Sequence, residues 1–351
     1  MSRFLSKRLS TLKEYTPGEQ PTDMKYVKLN TNESPYPPAP AVTKAVTDGR
    51  AKNLQLYSDP TCSSLTDALA AQYGVGRENV IVGNGSDEIL SYCFAAYFDK
   101  NSPVIFPDIS YGFYKVFADL YGSSYKEVPL TEDLSVDVSD YAGKNVHIVI
   151  ANPNAPTGKT LSLEGIEKIV STNPDNIVII DEAYIDFGGD SAVELTKKYE
   201  NLIVVMTFSK SRSLAGARVG FAIASSALIA DLNRIKYSTN PYNVNSMSQA
   251  AALAVLSEQE YYDKNCKQIM DTREWFCESL EGLGFEYIPS KANFVFAKHP
   301  EKDGRELYLA LKAKGVLVRH FDKDRIRDYL RITIGTKEQM QVLINVLKEI
   351  I

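Results

Sequence analysis

Cysteine and histidine are scarce in this sequence. The 351 residues include 4 cysteines and 3 histidines, and neither type forms a cluster. The cysteines stand far apart and show no C-x-x-C spacing, at Cys62, Cys93, Cys266 and Cys277. The histidines are equally dispersed, at His147, His299 and His320. We therefore predict no metal site and no disulfide framework.

Long apolar runs and an excess of positive charge are also absent. No run approaches the roughly 18 apolar residues of a membrane span, and residues 1–15 are polar and charged, unlike a secretory signal. Acidic residues outnumber basic ones, 44 to 39, which gives a formal net charge of −5. This balance predicts no basic surface for nucleic acid or an anionic membrane. We expect a cytoplasmic protein that binds neither.

Short apolar runs alternate with amphipathic stretches from about residue 60 to residue 237. The runs are rich in β-branched residues and nearly continuous, as in strands buried on both faces of a parallel sheet. They are Val80–Val82, Val104–Phe106, His147–Ala151, Ile177–Ile180, Leu202–Met206 and Val219–Ala224. Helical patterns lie between them, at Leu65–Tyr73, Asp87–Phe98, Leu163–Val170 and Ala227–Lys236. The alternation predicts an α/β fold with a mostly parallel sheet in αβα layers.

The pattern changes after residue 240. A long helix is predicted over about Ser246–Leu283, and short strands and helices follow it as far as a last helix at Lys337–Ile351. Near the other end of the chain, the proline-rich segment Pro35–Pro40 is expected to be an extended arm. The C-terminal part is therefore expected to be a smaller α+β region.

The length of the chain exceeds what one small core holds and suits two domains. We expect residues 44–245 to form a large domain. Residues 1–43 are expected to form an N-terminal arm and part of a small domain, and residues 246–351 a linking helix and the rest of the small domain.

Two ionisable residues follow apolar strands. Asp181 comes directly after the run Ile177–Ile180, and Lys210 stands soon after the run Leu202–Met206. The carboxyl ends of parallel strands meet at one edge of a sheet, where such sheets bind ligands. A helix-capping aspartate and a solvated lysine are the ordinary interpretations of either residue alone. Together, the two residues predict a carboxylate and an amine in one site.

Pyridoxal 5′-phosphate (PLP) is a cofactor that uses such a pair. Its aldehyde needs a lysine amine, and its ring nitrogen needs a facing carboxylate that keeps the nitrogen protonated. Tyr184, three residues after Asp181, is placed to reach the ring hydroxyl from the same loop. The strand ends therefore predict a PLP site.

A segment suited to a phosphate is also present. Gly83-Asn84-Gly85-Ser86-Asp87-Glu88 follows a strand and opens a helix, so its backbone N–H groups can face an anion. Ser209 and Arg218 would add a hydroxyl and a guanidinium. The ordinary alternatives are a tight turn with Ser86 as N-cap, and a surface ion pair for Arg218. The segment lacks the third glycine of a dinucleotide-binding fingerprint.

These segments and several others fall in one order along the chain. They are Asn32-Glu33-Ser34-Pro35-Tyr36-Pro37, Gly85-Ser86-Asp87-Glu88, Tyr111-Gly112, Pro156-Thr157-Gly158, Asp181-Glu182-Ala183-Tyr184, Ser209-Lys210, Gly216-Ala217-Arg218-Val219-Gly220 and Leu330-Arg331-Ile332-Thr333. With this series, from about Leu29 to the C-terminus, the sequence resembles the fold-type I PLP-dependent aminotransferases, and within them the histidinol-phosphate aminotransferase branch.

The resemblance implies a role for each matching residue. Lys210 is expected to hold PLP as a Schiff base and to carry protons, Asp181 to pair with the pyridinium nitrogen, and Tyr184 to contact the ring hydroxyl. Further cofactor contacts are expected from Gly85, Ser86, Asp87, Tyr111, Thr207, Ser209 and Arg218. Tyr57 is expected to reach the cofactor phosphate of a partner subunit in a homodimer. Substrate contacts are expected from Asn32, Tyr36, Asn293, Arg319 and Arg331.

One position departs from the family pattern. The family usually has asparagine directly before Pro-Thr-Gly, where it contacts the ring hydroxyl, and this chain has Ala155 there. Asn154 or Asn152 is expected to replace that contact, or Tyr184 to make it alone. Asn154 is the residue that we expect to contact the cofactor.

The resemblance implies reversible transfer of an amino group between L-histidinol phosphate and 2-oxoglutarate, giving imidazole-acetol phosphate and glutamate. An aromatic or broad-specificity aminotransferase would share nearly every motif. A threonine-phosphate decarboxylase is a further alternative. From another class, a PLP-binding regulatory module without turnover would not need Lys210 as a proton carrier.

Overall fold

The computed structural model describes residues 5–6, 9, 11–47 and 53–351. These residues contain thirteen strands and ten α-helices. The strands are β1 Val27–Lys28, β2 Val80–Gly83, β3 Val104–Pro107, β4 Tyr125–Val128, β5 His147–Ala151, β6 Val178–Asp181, β7 Leu202–Thr207, β8 Gly220–Ala224, β9 Glu286–Ile288, β10 Phe294–Lys298, β11 Val316–Leu317, β12 Arg319–His320 and β13 Leu330–Thr333. The helices are α1 Pro40–Thr47, α2 Ser63–Tyr73, α3 Ser86–Tyr97, α4 Phe113–Tyr121, α5 Leu163–Ser171, α6 Ser226–Thr239, α7 Ser246–Leu256, α8 Gln259–Glu281, α9 Gly304–Ala313 and α10 Lys337–Ile350.

Seven strands form the largest sheet, in the order β2-β8-β7-β6-β5-β3-β4. The neighbours from β7 to β4 pair in parallel. Strand β8 is antiparallel to both β2 and β7. Every residue of β6 and β7 is buried, as the continuous apolar runs predict for central strands. The expected α/β fold with a mostly parallel sheet is confirmed.

Helices cover both faces of this sheet. In β5, Ile148 and Ile150 belong to the apolar cluster on one face and Val149 to the cluster on the other, because successive side chains of a strand point in opposite directions. Helix α5 contributes Ile166 to the first cluster, and α3 contributes Ile89 to the second. With both faces covered, the edge at the carboxyl ends of the strands is the place left for a site.

The C-terminal part forms a second sheet, with the antiparallel order β12-β13-β10-β9. Strand β1 joins this part, because it pairs in parallel with β11. One apolar cluster contains Leu29, next to β1, together with Phe276 of α8 and Leu343 of α10. The N-terminal segment therefore packs with residues that lie some 300 positions later in the chain.

The expectation of one helix over Ser246–Leu283 is wrong. Helix α7 ends at Leu256, and α8 begins at Gln259. At the break, the hydroxyl of Ser257 donates to the carbonyl of Ala254, and the Glu258 N–H donates to the carbonyl of Val255. These bonds to the third residue back replace the α-helical pattern between the two helices.

Several elements were not predicted, among them β4 and α4, and the extended arm is shorter than expected. Strand β4 has mostly polar residues that alternate in exposure, since it lies at the edge of the large sheet. Helix α4 has nine residues, too few for a clear helical period. Pro40, expected at the end of the extended arm, is instead the first residue of α1, a position that suits the fixed φ of proline.

Within the described ranges, no helix combines the length and apolar character needed to cross a bilayer. In the same residues, no three side chains of histidine, cysteine, aspartate or glutamate gather in a way that would hold a metal ion.

Candidate active site

The carboxylate of Asp181 and the amine of Lys210 line one cavity of about 530 Å³. Asp181 is the last residue of β6, and Lys210 lies three residues beyond the end of β7. These two strands are parallel neighbours, with Asp181 opposite Val205. The parallel pairing brings both strand ends to the same edge of the sheet.

A cradle of small and hydroxyl residues forms part of the wall of this cavity. Ser86 opens α3 and lines the cavity with Thr207, Ser209 and Arg218. Gly85, directly before Ser86, has φ of 84°, a conformation that side chains disfavour. A Cβ at Gly85 would lie 2.5 Å from Nη2 of Arg218. The cradle therefore requires glycine, and it presents hydroxyl, guanidinium and helix N-terminal N–H groups to an anion.

Asp87 ties the cradle to an aromatic ring. Its Oδ1 accepts a hydrogen bond of 2.7 Å from the hydroxyl of Tyr111, and its Oδ2 lies 3.0 Å from Nη2 of Arg218. Arg218 has φ of 55°, in the left-handed region that costs an ordinary side chain free energy. Asp87 therefore holds two cavity residues in place.

The carboxylate of Asp181 is buried. Its Oδ2 accepts a hydrogen bond of 2.9 Å from the hydroxyl of Tyr114, and its Oδ1 accepts one of 3.3 Å from the N–H of Ala183. Burial raises the pKa of Asp181 to about 6; the hydrogen bond from Tyr114 opposes that rise, and the nearby Asp87 charge adds to it. A cationic partner in the cavity would favour the ionised form.

Two polar contacts join the N-terminal segment to the cavity. The amine of Lys210 donates to the carbonyl of Thr31, at 3.3 Å. The side-chain amide of Asn32 donates to the hydroxyl of Tyr184, at 3.0 Å. Asn32 has φ of 55°, which asparagine tolerates better than most residues. The Lys210 amine also lies 5.7 Å from the centre of the Tyr184 ring.

A second cavity shares Tyr111, Tyr184 and Lys210 with the first. It is also lined by Arg319 and Arg331. Because Arg319 and Arg331 are paired neighbours on β12 and β13, their guanidinium groups reach the same cavity.

Arg331 keeps hydrogen-bonding capacity in this second cavity. Its Nη2 donates to the carbonyl of Asn30 at 3.0 Å, while its buried Nε has no hydrogen-bond partner among the described residues. Desolvation lowers the pKa of Arg331, although a guanidinium stays protonated in proteins. Arg319 instead donates to the carbonyls of Thr16 and Pro17. The geometry suits an anionic group of a substrate.

Four residues whose side chains were expected in the site do not line either cavity. The amide nitrogen of Asn154 donates to the Ile109 carbonyl and the Thr157 hydroxyl, and its oxygen accepts from Ser110. Asn154 is thus engaged in holding its loop, and its contact with the cofactor stays a prediction. Asn293 is buried behind Asn32 and donates to its carbonyl oxygen. The other two are Tyr36, half-buried beside Ser34, and Tyr57, which is 82% exposed.

Sequence reasoning missed three residues at this site. Tyr15 lines the second cavity and stacks on Phe113, with ring centres 4.2 Å apart. Thr31 acts through its backbone carbonyl, which no side-chain pattern reveals. Tyr114 follows Tyr111 by three residues, a spacing that could have suggested that the two rings lie together.

Comparison with known proteins places this arrangement in a family. The model of the family "Aminotransferase class I and II" matches residues 24–347. The chain belongs to this family, whose cofactor is PLP. Its relatives include the histidinol-phosphate aminotransferase of Brachyspira hyodysenteriae, which is 47% identical over 100% of this chain and 99% of the relative. Another is the histidinol-phosphate aminotransferase of Acinetobacter baylyi, 49% identical over 99% of this chain and 97% of the relative.

A solved structure shows the same fold. It is the histidinol-phosphate aminotransferase of Sinorhizobium meliloti in complex with pyridoxal-5′-phosphate, with a TM-score of 0.85 and 24% sequence identity. The alignment covers 93% of this chain and 92% of that one.

The residues of the first cavity fit PLP. The cradle around Gly85 supplies hydroxyl groups, backbone N–H groups and the Arg218 guanidinium for a phosphate. Across the same cavity, the Lys210 amine and the Asp181 carboxylate match an aldehyde and a pyridinium nitrogen.

Proposed function

We propose that this chain transfers an amino group between L-histidinol phosphate and 2-oxoglutarate, giving imidazole-acetol phosphate and glutamate. The observation that carries the proposal is the pair of adjoining cavities, with Lys210 and Asp181 in one and Arg319 and Arg331 in the other. The names of the relatives at 47–49% identity over nearly the full chain support this substrate. Both substrates carry anions, and the arginine cavity accounts for their binding.

The first cavity holds the cofactor in this proposal. Ser86, Thr207, Ser209 and Arg218 would bind its phosphate, and Asp181 would pair with its ring nitrogen. When bound, PLP supplies an aldehyde for amines and a ring that accepts electron density from the substrate Cα. Tyr184 is the remaining candidate for the ring hydroxyl, because Asn154 is engaged elsewhere and Ala155 has no polar side chain.

Lys210 moves the proton in the proposed mechanism. Its amine takes the proton from the substrate Cα, so it must be neutral at that moment. The amine lies at the junction of the two cavities, since it lines both. A substrate with its anion at the arginine pair is therefore able to place its Cα near Lys210.

Arg331 and Arg319 bind the anionic end of each substrate. The guanidinium group can form two parallel hydrogen bonds with either a phosphate or a carboxylate. One pair of arginines can thus serve both half-reactions. The unpartnered Nε of Arg331 provides a donor for this contact.

We also propose that the enzyme is a cytoplasmic homodimer with shared sites. Tyr57 is highly exposed and stacks on Tyr242, with ring centres 4.3 Å apart. Leu54 and Leu56 are also exposed beside it, and such an apolar patch suits a partner surface.

We further propose the domain boundaries that the sequence pattern predicts, after residue 43 and after residue 245. Residues 1–4, 7–8, 10 and 48–52 lie outside the described part of the chain.

A panel of amino donors tests the proposed substrate. Purified protein loaded with PLP is mixed with histidinol phosphate, glutamate, phenylalanine, tyrosine or threonine phosphate, and conversion of the cofactor to its pyridoxamine form is followed by absorbance. The expected result is fast conversion with histidinol phosphate and with glutamate. Preference for phenylalanine or tyrosine would support an aromatic aminotransferase, and release of carbon dioxide from threonine phosphate would support a decarboxylase. Bound PLP without any conversion would support a regulatory module.

A further inference from the structure

The hydroxyl of Tyr114 is directed at the carboxylate of Asp181 from inside the protein. Tyr114 has no exposed surface, and its hydroxyl lies 2.9 Å from Oδ2 of Asp181. Its ring packs against Phe106 and Tyr111, with ring centres 5.9 and 5.7 Å away. Helix α4 therefore delivers one hydrogen-bond donor to the buried end of β6.

Few other groups act on this carboxylate. The N–H of Ala183 donates to Oδ1 over a longer distance of 3.3 Å. Asp87 disfavours the ionised form of Asp181, and Lys210 favours it more weakly than the hydrogen bond from Tyr114 does. Tyr111 and Tyr184 are neighbours of Tyr114 on the cavity side. The Tyr114 hydroxyl thus makes the shorter of the two hydrogen bonds to the buried Asp181 carboxylate. This carboxylate lies near a second one, that of Asp87.

We propose that Tyr114 is a positioning residue that orients Asp181 and keeps it ionised for the cofactor ring. The proposal rests on the proposed function, because it takes Asp181 as the partner of the ring nitrogen. A hydroxyl that donates to a carboxylate stabilises the charged form. It also restricts rotation of the carboxylate, so that the group is already oriented when the cofactor binds.

The alternative is that Tyr114 only fills space in the core. Tyr114→Phe separates the two roles, because it removes the hydroxyl and leaves the ring. Tyr141→Phe is a matched control: Tyr141 is also buried, and its hydroxyl has no hydrogen-bond partner among the described residues. Loss of that hydroxyl removes no contact to a charged group.

The first test uses the apoprotein at pH 5 and pH 8. Asp181, with a pKa of about 6, is mostly protonated at the lower pH and ionised at the higher one. Since hydrogen bonds to charged groups are the stronger kind, Tyr114→Phe should raise the unfolding equilibrium constant roughly tenfold more at pH 8 than at pH 5. Tyr141→Phe should show no such dependence on pH. An equal change at both pH values for Tyr114→Phe would overturn the positioning role.

The second test measures PLP affinity and turnover of the loaded enzyme. Tyr114→Phe should weaken PLP binding and lower kcat by roughly tenfold, with KM for the amino donor nearly unchanged. Both effects should disappear when the same change is made in Asp181→Asn, because the charge is then gone. Effects that persist in that background would overturn the proposal. A pH-dependent loss of stability with unchanged PLP affinity and kcat would mean that Tyr114 does stabilise the ionised Asp181. It would also overturn the role of Asp181 as the partner of the cofactor ring nitrogen.

Discussion

The amine of Lys210 lies 3.3 Å from the carbonyl oxygen of Thr31 and donates a hydrogen bond to it. The two residues are far apart in the chain, and the contact brings the N-terminal segment to the strand end that carries the lysine. Asn32, the next residue, donates to Tyr184 on the neighbouring strand end. The N-terminal segment thus helps to position the amine and the tyrosine of the candidate site.

Replacement of Lys210 by alanine should abolish turnover, by about 10³-fold or more, because the proton carrier is lost. PLP should still bind through the phosphate cradle, although more weakly. Borohydride treatment of the loaded wild-type protein, followed by peptide mapping, should place the pyridoxyl group on Lys210. The exposed Lys198, paired with Glu167, provides the control: Lys198→Ala should keep full activity. A label on another lysine would contradict the assignment.

Asp181→Asn should retain PLP and lower kcat about 10²-fold or more, since a neutral amide cannot balance a protonated ring nitrogen.

In the apoprotein, the same substitution should change the free energy of unfolding in a way that depends on pH. Burial raises the pKa of folded Asp181 to about 6, so ionisation destabilises the fold increasingly as pH rises from about 4 to 6. The variant should therefore gain up to about 2–3 kcal/mol of stability over wild type at pH 7 and little at pH 4. Denaturant titrations at the two pH values measure the difference; a gain that is the same at both would refute it.

Tyr57 should act in the active site of a partner subunit. Tyr57→Ala alone is expected to weaken PLP retention strongly. A mixture of Lys210→Ala and Tyr57→Ala chains should then recover activity after subunit exchange, because a heterodimer contains one site with both residues intact. Chains carrying two different affinity tags should co-purify through both tags once exchange has occurred. Failure to recover activity after verified exchange would mean that Tyr57 acts within its own chain or only packs on Tyr242.

Asn154→Ala should reduce stability more than catalysis. The side chain makes three buried or partly buried hydrogen bonds to Ile109, Ser110 and Thr157, and its loss leaves the Ile109 carbonyl and the Ser110 hydroxyl without that partner. We expect a loss of about 1–3 kcal/mol in the free energy of unfolding, with the PLP absorbance spectrum unchanged. The exposed Asn101 offers a control, and Asn101→Ala should have little effect. A shifted cofactor spectrum with normal stability would restore the cofactor role that the sequence suggested.

Arg331→Lys should impair both half-reactions by about 10- to 100-fold, mainly through substrate affinity, because lysine lacks the paired donors of a guanidinium. Single-turnover measurements with histidinol phosphate and with glutamate check this. Arg319→Lys should affect more strongly whichever anion reaches farther from Cα. Arg325→Lys is the control and should leave both half-reactions nearly unchanged. The guanidinium of Arg325 already donates to Asp108 and to the carbonyls of Leu130 and Thr131. Normal rates and affinities in Arg331→Lys would place the anion site elsewhere.

Local pattern was sufficient for the parts of the site that lie at strand ends. A continuous apolar run predicts a buried strand, and parallel neighbours bring their carboxyl ends together, so Asp181 and Lys210 could be placed at one edge without a structure. The cradle at Gly85 was visible for a similar reason, since a glycine turn between a strand and a helix is a local feature. The order of the motifs indicated the family.

Tertiary packing decided what depends on the direction of side chains across long separations. Asn154 stands beside Ala155 in the sequence, yet its amide donates to Ile109 and Thr157 and the residue lines neither cavity. Strand β8 has a continuous apolar run like those of the parallel strands, yet it is antiparallel to β7. A strand buried on both faces has such a run in either direction, so the sequence does not show its direction. The contacts of Tyr114 with Asp181 and of Lys210 with Thr31 exist only after the helices and the N-terminal segment have packed. The physical reason is that a sequence pattern determines which face of an element is apolar, whereas the partner of each polar atom is set by the elements that pack around it.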